Sequence, residues 1–162
     1  MFFSSVGVPF DVRLTTPNVV FFRALNALYS KVGRLASEEV IISLLRTKCL
    51  PILFYGIEAC PLLKRTRHSF EFSVTRIFTK VFCTGSPSIV KECQRHFNFL
   101  PIESQITMRT ASFLAKFTAS LNSMCSLFSC QANRQLNEIF TQFNVVSIGQ
   151  LRGALLSQMH DG

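Results

Sequence analysis

Residues 67–81, RHSFEFSVTRIFTKV, form the most regular pattern in the sequence. Their apolar side chains recur at intervals of three and four residues, which is the spacing of one face of an α-helix. The predicted buried face consists of Phe70, Val74, Ile77, Phe78 and Val81. The predicted polar face consists of Ser69, Ser73, Arg76 and Lys80. This segment therefore predicts an amphipathic helix.

Helical spacing continues upstream of this segment. A first stripe consists of Phe21, Ala24, Leu25, Leu28, Val32 and Leu35, and Gly33 favours a helix end there. A second stripe, with Ser37 as its expected N-cap, consists of Val40, Ile41, Leu44, Leu45 and Ile52. Because Pro51 lacks the amide hydrogen that would bond back to Thr47, we expect this helix to kink near Cys49 or to stop and restart. Gly56 and Pro61 mark its expected end.

Downstream, Pro87 is expected at the first position of another helix. This helix is predicted to point Ile89, Val90, Cys93 and Phe97 inward and Lys91 and Arg95 outward. After the break at Leu100-Pro101, one long stripe consists of Ile106, Phe113, Phe117, Leu121, Met124 and Phe128. A hinge is expected at residues 129–133, followed by two helices with the stripes Leu136, Ile139, Phe140, Phe143 and Ile148, Leu151, Leu155, Met159.

These patterns predict an all-α fold, an irregular array of about five to seven amphipathic helices. Hydrophobic residues make up 48% of the chain and charged residues 16%. Such a composition favours folding over disorder, and it is typical of a fragment of a larger protein that packs against a missing neighbour. The expected organisation is a poorly defined segment at residues 1–16, a helical region at 17–128 and a weakly attached helical tail at 129–162.

Positive charge is concentrated in the middle of the chain. The formal net charge is +8, and the segment from Cys60 to Lys116 alone carries nine basic and three acidic residues. Such a stripe is typical of a surface that faces phosphates, although a solvated face or an anionic lipid surface would give the same counts. The predicted nucleic-acid contacts are Lys64, Arg65, Arg67, Arg76, Lys80, Lys91, Arg95, Arg109 and Lys116. Phe72 lies off the buried stripe, where it could stack on a base, but packing against a neighbouring element is the favoured interpretation.

The sequence offers no set of residues for catalysis or metal binding. Its only aspartates are Asp11 and Asp161, whereas a two-metal nuclease or polymerase needs clustered carboxylates. Cys93 and His96 lack further ligands nearby, and the six cysteines form no CxxC pair, so we interpret them as reduced core residues. The glycines are scattered singly and form no phosphate-binding loop. We therefore expect no enzymatic activity, catalytic residue, metal site or cofactor.

The sequence also shows no membrane-spanning segment and no signal peptide. The longest apolar run, from Cys49 to Ile57, contains Pro51 and is too short to cross a bilayer, so no membrane span is expected. The N-terminus lacks the basic region and the length of a signal peptide. We expect a cytoplasmic or nuclear protein that is not secreted.

Four stretches resemble a known family. They are FFRALNALYSKVGRLASEEV (residues 21–40), TKCLPILFYGIEACPL (47–62), FSVTRIFTKVF (72–82) and IVKEC (89–93). Their order and spacing are similar to the segment that follows the catalytic core in LINE-type non-LTR retrotransposon reverse transcriptases, and the match covers about residues 12 to 117.

The resemblance implies a helical thumb and connection that pack near the template-primer duplex. It implies RNA or an RNA–DNA hybrid as partner, the missing reverse transcriptase core as packing neighbour, and a structural role for the element from Lys48 to Gly56. No catalytic residue is transferred, because the family's Asp-Asp motif is absent, and we expect a truncated or decayed copy whose reading frame begins at an internal Met1. The expected function is a non-catalytic, nucleic-acid-contacting remnant. The alternatives are a helical protein-interaction or membrane-surface module and a translated fragment without function.

Overall fold

The computed structural model describes residues 11–32, 36–58 and 62–161, with side chains from residue 19 to residue 160 of those ranges. Within them the chain contains no β-strand, which confirms the all-α prediction. Seven helices follow one another: α1 Asp11–Val32, α2 from Glu38 to Leu53, α3 Lys64–Val81, α4 Pro87–His96, α5 Ile102–Thr118, α6 Ser123–Gln142 and α7 Ile148–Asp161. Their number agrees with the predicted five to seven.

Helix α3 buries the face that its sequence predicts. Its five apolar stripe residues are all buried, and Phe70, Val74 and Phe78 are fully inaccessible to solvent. The Phe78 ring meets the Phe99 ring edge to face, with 5.0 Å between centroids, and the Phe70 ring meets Phe54 in the same way at 6.5 Å. Edge-to-face pairs of this kind add to the stabilisation that burial of the rings already provides.

One residue of the predicted polar face of α3 lies inside. Ser73 is buried, because at one turn from both Phe70 and Ile77 it lies at the edge of the buried stripe. Its hydroxyl donates a hydrogen bond to the Ser69 carbonyl at 2.8 Å, which satisfies the buried oxygen without a partner from another helix.

Helix α2 contains an irregular turn where the sequence predicts one. It consists of an α-helical part Glu38–Leu44, a π-helical turn Leu45–Cys49 and a final α-helical turn Leu50–Leu53. The Leu50 amide bonds back five residues to the Leu45 carbonyl. The wider turn lies immediately before Pro51, whose ring and missing amide are incompatible with a regular α-helical turn. The helix therefore continues through the proline instead of stopping.

Most residues of the α1 and α2 stripes lie inside as predicted, but Val40 does not. Phe21, Leu25, Ile41 and Leu45 are buried, whereas Val40 is exposed and Ile42 takes the inward position. Ile89 on α4 is likewise exposed, while Val90 is buried. Ile89 and Val90 are adjacent apolar residues, and Val40 is followed by two more apolar residues that are both buried, so the spacing alone does not decide which of them point inward.

Two hydrophobic cores meet along α5. The N-terminal core consists of Phe21, Leu25, Ile41, Ile42, Leu45, Cys49, Leu50, Leu53, Phe54, Ile57, Phe70, Val74, Ile77, Phe78, Val81, Val90, Phe99, Ile102 and Ile106. The C-terminal core consists of Ala111, Leu114, Ala132, Leu136, Leu151 and Leu155. Ile102 and Ile106, in the first half of α5, belong to the N-terminal core. Ala111 and Leu114, in the second half, belong to the C-terminal core.

The predicted stripe from Ile106 to Phe128 and the hinge after it are wrong. The chain turns at residues 119–122, where the Asn122 side chain caps α6 by accepting a hydrogen bond from the Met124 amide at 2.9 Å. Residues 129–133 lie in the middle of α6. The stripe therefore does not form a continuous buried face. Several of its members form an apolar cluster, here called the hairpin tip, which consists of Phe113, Phe117, Leu121, Met124, Leu127 and Phe128.

Some predictions fall wholly or partly outside the described residues. These are the helix end at Gly33, the inward position of Leu35, the chain break at Pro61 and the environment of Cys60. Of the expected N-terminal segment 1–16, residues 1–10 also lie outside, and residues 11–16 belong to the first turns of α1. The structure has Gly56 in the turn that follows α2, with a φ of 75° that a residue with a Cβ rarely adopts.

Removing the Phe78 ring should destabilise the fold strongly. Because the ring is fully buried in the N-terminal core, we expect Phe78→Ala to lower the free energy of unfolding by about 3–5 kcal/mol, as measured by urea denaturation. The matched control is Phe72→Ala, which removes the same ring from an exposed position on the same helix. It should cost less than about 1 kcal/mol. Equal losses for the two variants would contradict the assigned burial.

Candidate nucleic-acid interface

The outward side of α3 carries a row of basic and aromatic side chains. Arg65, His68, Phe72 and Arg76 are exposed and follow one another at intervals of three or four residues, so they share one side of the helix. Lys80 follows one turn after Arg76. These five residues are here called the α3 face. The burial of the opposite stripe in the N-terminal core fixes their outward direction.

Phe72 lies in the middle of this face and is not packed against another helix. Its side chain is 62% exposed, so the prediction that it packs on a neighbouring element is wrong. The Arg76 guanidinium carbon is 5.9 Å from the centroid of the Phe72 ring, within the range of a cation–π contact. The face therefore holds an accessible aromatic ring directly beside a cation.

The only acidic residue of α3 is turned away from this face and used in packing. A carboxylate oxygen of Glu71 accepts a hydrogen bond at 3.1 Å from the Ile102 amide. That amide belongs to the first turn of α5, where unpaired N–H groups favour a negative charge. None of the five residues of the α3 face is acidic, so the positive potential there is not cancelled within the face.

Three of the nine predicted contact residues are engaged inside the fold. Arg67 pairs with Glu103 at 2.9 Å, and Arg95 Nε donates to the Met159 carbonyl at 3.0 Å. Arg109 pairs with Glu58 at 3.2 Å, and its guanidinium carbon is 5.1 Å from the Phe54 ring centroid. These contacts join α3 to α5, α4 to α7, and α5 to the turn after α2. The three arginines thus have structural roles of their own.

The remaining predicted residues are exposed, on three helices. Arg65, Arg76 and Lys80 share the α3 face, although the Lys80 ammonium also lies 4.7 Å from the Tyr29 ring centroid of α1. Lys64 is at the start of α3, outside the face, while Lys91 is on α4 and Lys116 on α5. The face therefore brings together the largest group of exposed predicted residues on a single helix.

Sequence reasoning missed His68 as a member of this face. A signal was available, because His68 is four residues before Phe72 and eight before Arg76, a spacing that places all three on one side of a helix. The imidazole is exposed and adds a second accessible ring one turn from Phe72. It was overlooked because the histidine was not counted among the basic residues.

Acidic groups gather elsewhere, around an open cleft of about 660 Å³ between α2 and α4. The cleft is lined by Glu38, Glu39 and Glu92 together with His96, Phe82 and others. Three carboxylates would repel phosphate, so this concave surface does not suit a nucleic acid. The cleft thus has the opposite charge to the α3 face.

The cysteines do not form the uniform buried set that was expected. Cys49 is buried, and this burial raises the pKa of its thiol and lowers its reactivity. Cys83 and Cys130 are exposed, so their assignment to the core is wrong. Across the side chains that the structure describes, no three His, Cys, Asp or Glu residues are grouped so that they could hold a metal ion.

Comparisons with known proteins add no relative. No family model, curated protein or solved structure matches this chain. In the described part of the chain, no helix combines the length and the apolar composition needed to cross a bilayer.

The structural role of Arg109 can be separated from binding. Replacing Arg109 with Gln removes both the ion pair with Glu58 and the contact with the Phe54 ring. We expect the free energy of unfolding to fall by about 1–2 kcal/mol, measured by urea denaturation. Lys116→Gln is the matched control on the same helix, and it should change stability by no more than about 0.5 kcal/mol. The assigned role fails if both substitutions have the same small effect.

Proposed function

We propose that this chain binds RNA or an RNA–DNA hybrid without catalysing a reaction on it, as the thumb-like helical remnant of a LINE-type retrotransposon reverse transcriptase. The observation that carries the binding proposal is the α3 face, a row of exposed cationic and aromatic side chains without a carboxylate. The resemblance of residues 12–117 to that family supports the origin. In this proposal the protein acts in the cytoplasm or the nucleus.

The length of the α3 face suits contact with several phosphates. Arg65 and Arg76 are eleven positions apart, which corresponds to about 16 Å along the helix axis. One strand of B-form DNA rises about 3.4 Å per nucleotide, so on that scale the two guanidinium groups span roughly five nucleotides. Such contacts depend on the backbone of the nucleic acid and carry little sequence preference.

The placement of the acidic residues supports the non-catalytic part of the proposal. Two-metal phosphoryl chemistry needs carboxylates that converge on one point. Glu58 and Glu103 are paired with arginines, and Glu71 caps α5. These three glutamates already contact other parts of the fold, and the only aspartates are near the two ends of the sequence. Among the described side chains, the glutamates of the cleft between α2 and α4 are not grouped so that they could hold a metal ion.

Removing the charge of the α3 face should weaken binding to all sequences alike. We expect the triple variant Arg65→Gln, Arg76→Gln, Lys80→Gln to lose affinity for RNA and for an RNA–DNA hybrid. Because fewer counterions would be released, the slope of log K against log salt should become shallower by about two to three. Fluorescence anisotropy over a salt series measures both quantities.

The control removes the same charge from other surfaces. Lys48, Arg134 and Arg152 are exposed on α2, α6 and α7, and replacing all three with Gln should leave most of the affinity intact. If the two triple variants bind equally well, the α3 face is not the interface. If wild-type affinity is independent of ionic strength, binding through phosphates is excluded altogether.

A second candidate function rests on the hairpin tip. Leu121 is fully exposed at the turn, and Met124, Leu127 and Phe128 extend this apolar surface along α6. No acidic residue occurs between Glu103 and Glu138, so neither arm of the hairpin repels an anionic surface near the tip. An exposed apolar turn with Lys116 close by in sequence suits insertion into an anionic phospholipid bilayer.

Flotation with vesicles tests this second function. We expect the wild-type protein to float with vesicles that contain phosphatidylserine, and the double variant Leu121→Asp, Phe128→Asp to stay in the bottom fraction, because carboxylates at the tip oppose insertion. Val146→Asp changes an equally exposed apolar residue outside the tip and should float like the wild type. A wild-type protein that does not float excludes the membrane function.

A further inference from the structure

The exposure of Phe72 is selective on its own helix. Phe70 and Phe78 are fully buried on the inward side of α3, whereas 62% of the Phe72 side chain is open to solvent. An exposed phenyl ring contributes little to the stability of the fold, because most of its apolar surface remains in water. Its place at the centre of a cationic row makes it the distinctive feature of the α3 face.

We propose that Phe72 is a stacking platform for an unpaired base of single-stranded nucleic acid, with Arg76 and Arg65 holding the adjoining phosphates. This inference rests on the proposed function, and it adds which form of nucleic acid the face prefers. A phenyl ring cannot bond to phosphate, but it offers an apolar π surface to any base. In a duplex the base faces are covered by their neighbours, so only an unpaired base can use the ring fully.

The charges around Phe72 decide between this ligand and others. A cationic ligand over the ring would find Arg76 beside it and no carboxylate in the α3 face. An anionic strand finds Arg76 one turn after the ring and Arg65 two turns before it. The guanidinium lies over one side of the ring, 5.9 Å from its centroid, so the base would stack on the side that Arg76 leaves open while Arg76 meets an adjoining phosphate. His68 extends the aromatic surface by one turn towards Arg65.

The test compares three ligands with equal numbers of phosphates: single-stranded oligouridine, the same length of abasic strand, and a duplex RNA. We expect Phe72→Ala to weaken binding to oligouridine by about 5- to 100-fold, the loss of one stacked base. Binding to the abasic strand and to the duplex should change less than about twofold. Circular dichroism checks that the variant keeps its helices.

A second variant makes the stacking visible. The chain has no tryptophan, so Phe72→Trp introduces a single indole at the platform. This variant should bind oligouridine at least as tightly as the wild type, and its fluorescence should be quenched by oligouridine but not by the abasic strand. Quenching by all three ligands, or by none, would overturn the stacking proposal.

Failure of base stacking on Phe72 can be distinguished from failure of nucleic-acid binding as a whole. If Phe72→Ala has no effect on oligouridine while the triple charge variant still loses affinity, the face binds phosphates and the stacking platform is disproved. A loss of the same size on all three ligands would also disprove it, because the ring would then act only by positioning Arg76. If neither these three ligands nor an RNA–DNA hybrid binds to the wild type, both proposals fall.

Discussion

The burial of Phe78 fixes the orientation of α3, and the rest of the surface depends on it. The ring is fully inaccessible and meets Phe99 of the segment between α4 and α5 at 5.0 Å and Phe82 at the end of its own helix at 5.8 Å. A rotation of α3 by one residue would turn every side chain by about 100° and would move Thr79 or Ile77 into this position. Larger rotations would bury Arg76 or Lys80 at a high cost in desolvation. The outward direction of the α3 face is therefore a consequence of the core.

Arginine serves two different purposes in this molecule. Arg67 and Arg109 are half-buried and pair with carboxylates that are distant in sequence, while Arg46 donates to the carbonyls of Phe97 and Asn98 at 2.9 and 3.3 Å. A planar guanidinium with several donors suits such connections between helices. Arg65 and Arg76 have no carboxylate within reach on α3 and remain on the surface. The high net charge of the chain thus overstates the charge that is available to a ligand.

The structural features that the sequence predicts best are those determined by residues close together in the chain. The α3 stripe, the irregular turn before Pro51 and the start of α4 at Pro87 all follow from local spacing or from the missing amide of proline. The hairpin at residues 119–122 was missed because it contains neither glycine nor proline. Its signal is the Asn122 cap, which is a side-chain hydrogen bond and leaves no break in hydrophobic spacing.

The candidate site was predictable in part, for a related reason. Counting charges identified Arg65, Arg76 and Lys80, but it could not separate them from Arg109, because the partner Glu58 is 51 positions away. The exposure of Phe72 could not be predicted from the sequence either, since a phenylalanine off the main stripe can lie against a neighbouring helix or in water. Only the arrangement of the other helices decides which.

Each of the two proposed surfaces is attached to a different hydrophobic core. The α3 face is held by the N-terminal core, whereas the hairpin tip belongs to helices that meet in the C-terminal core. Helix α5 joins them, with Ile106 in the first core and Ala111 in the second. A substitution that destabilises the C-terminal core should therefore leave Phe70, Val74 and Phe78 packed in the N-terminal core. The outward direction of Phe72 should then be unchanged. The ring at the centre of the α3 face is thus positioned by the N-terminal core, whose members run from residue 21 to residue 106.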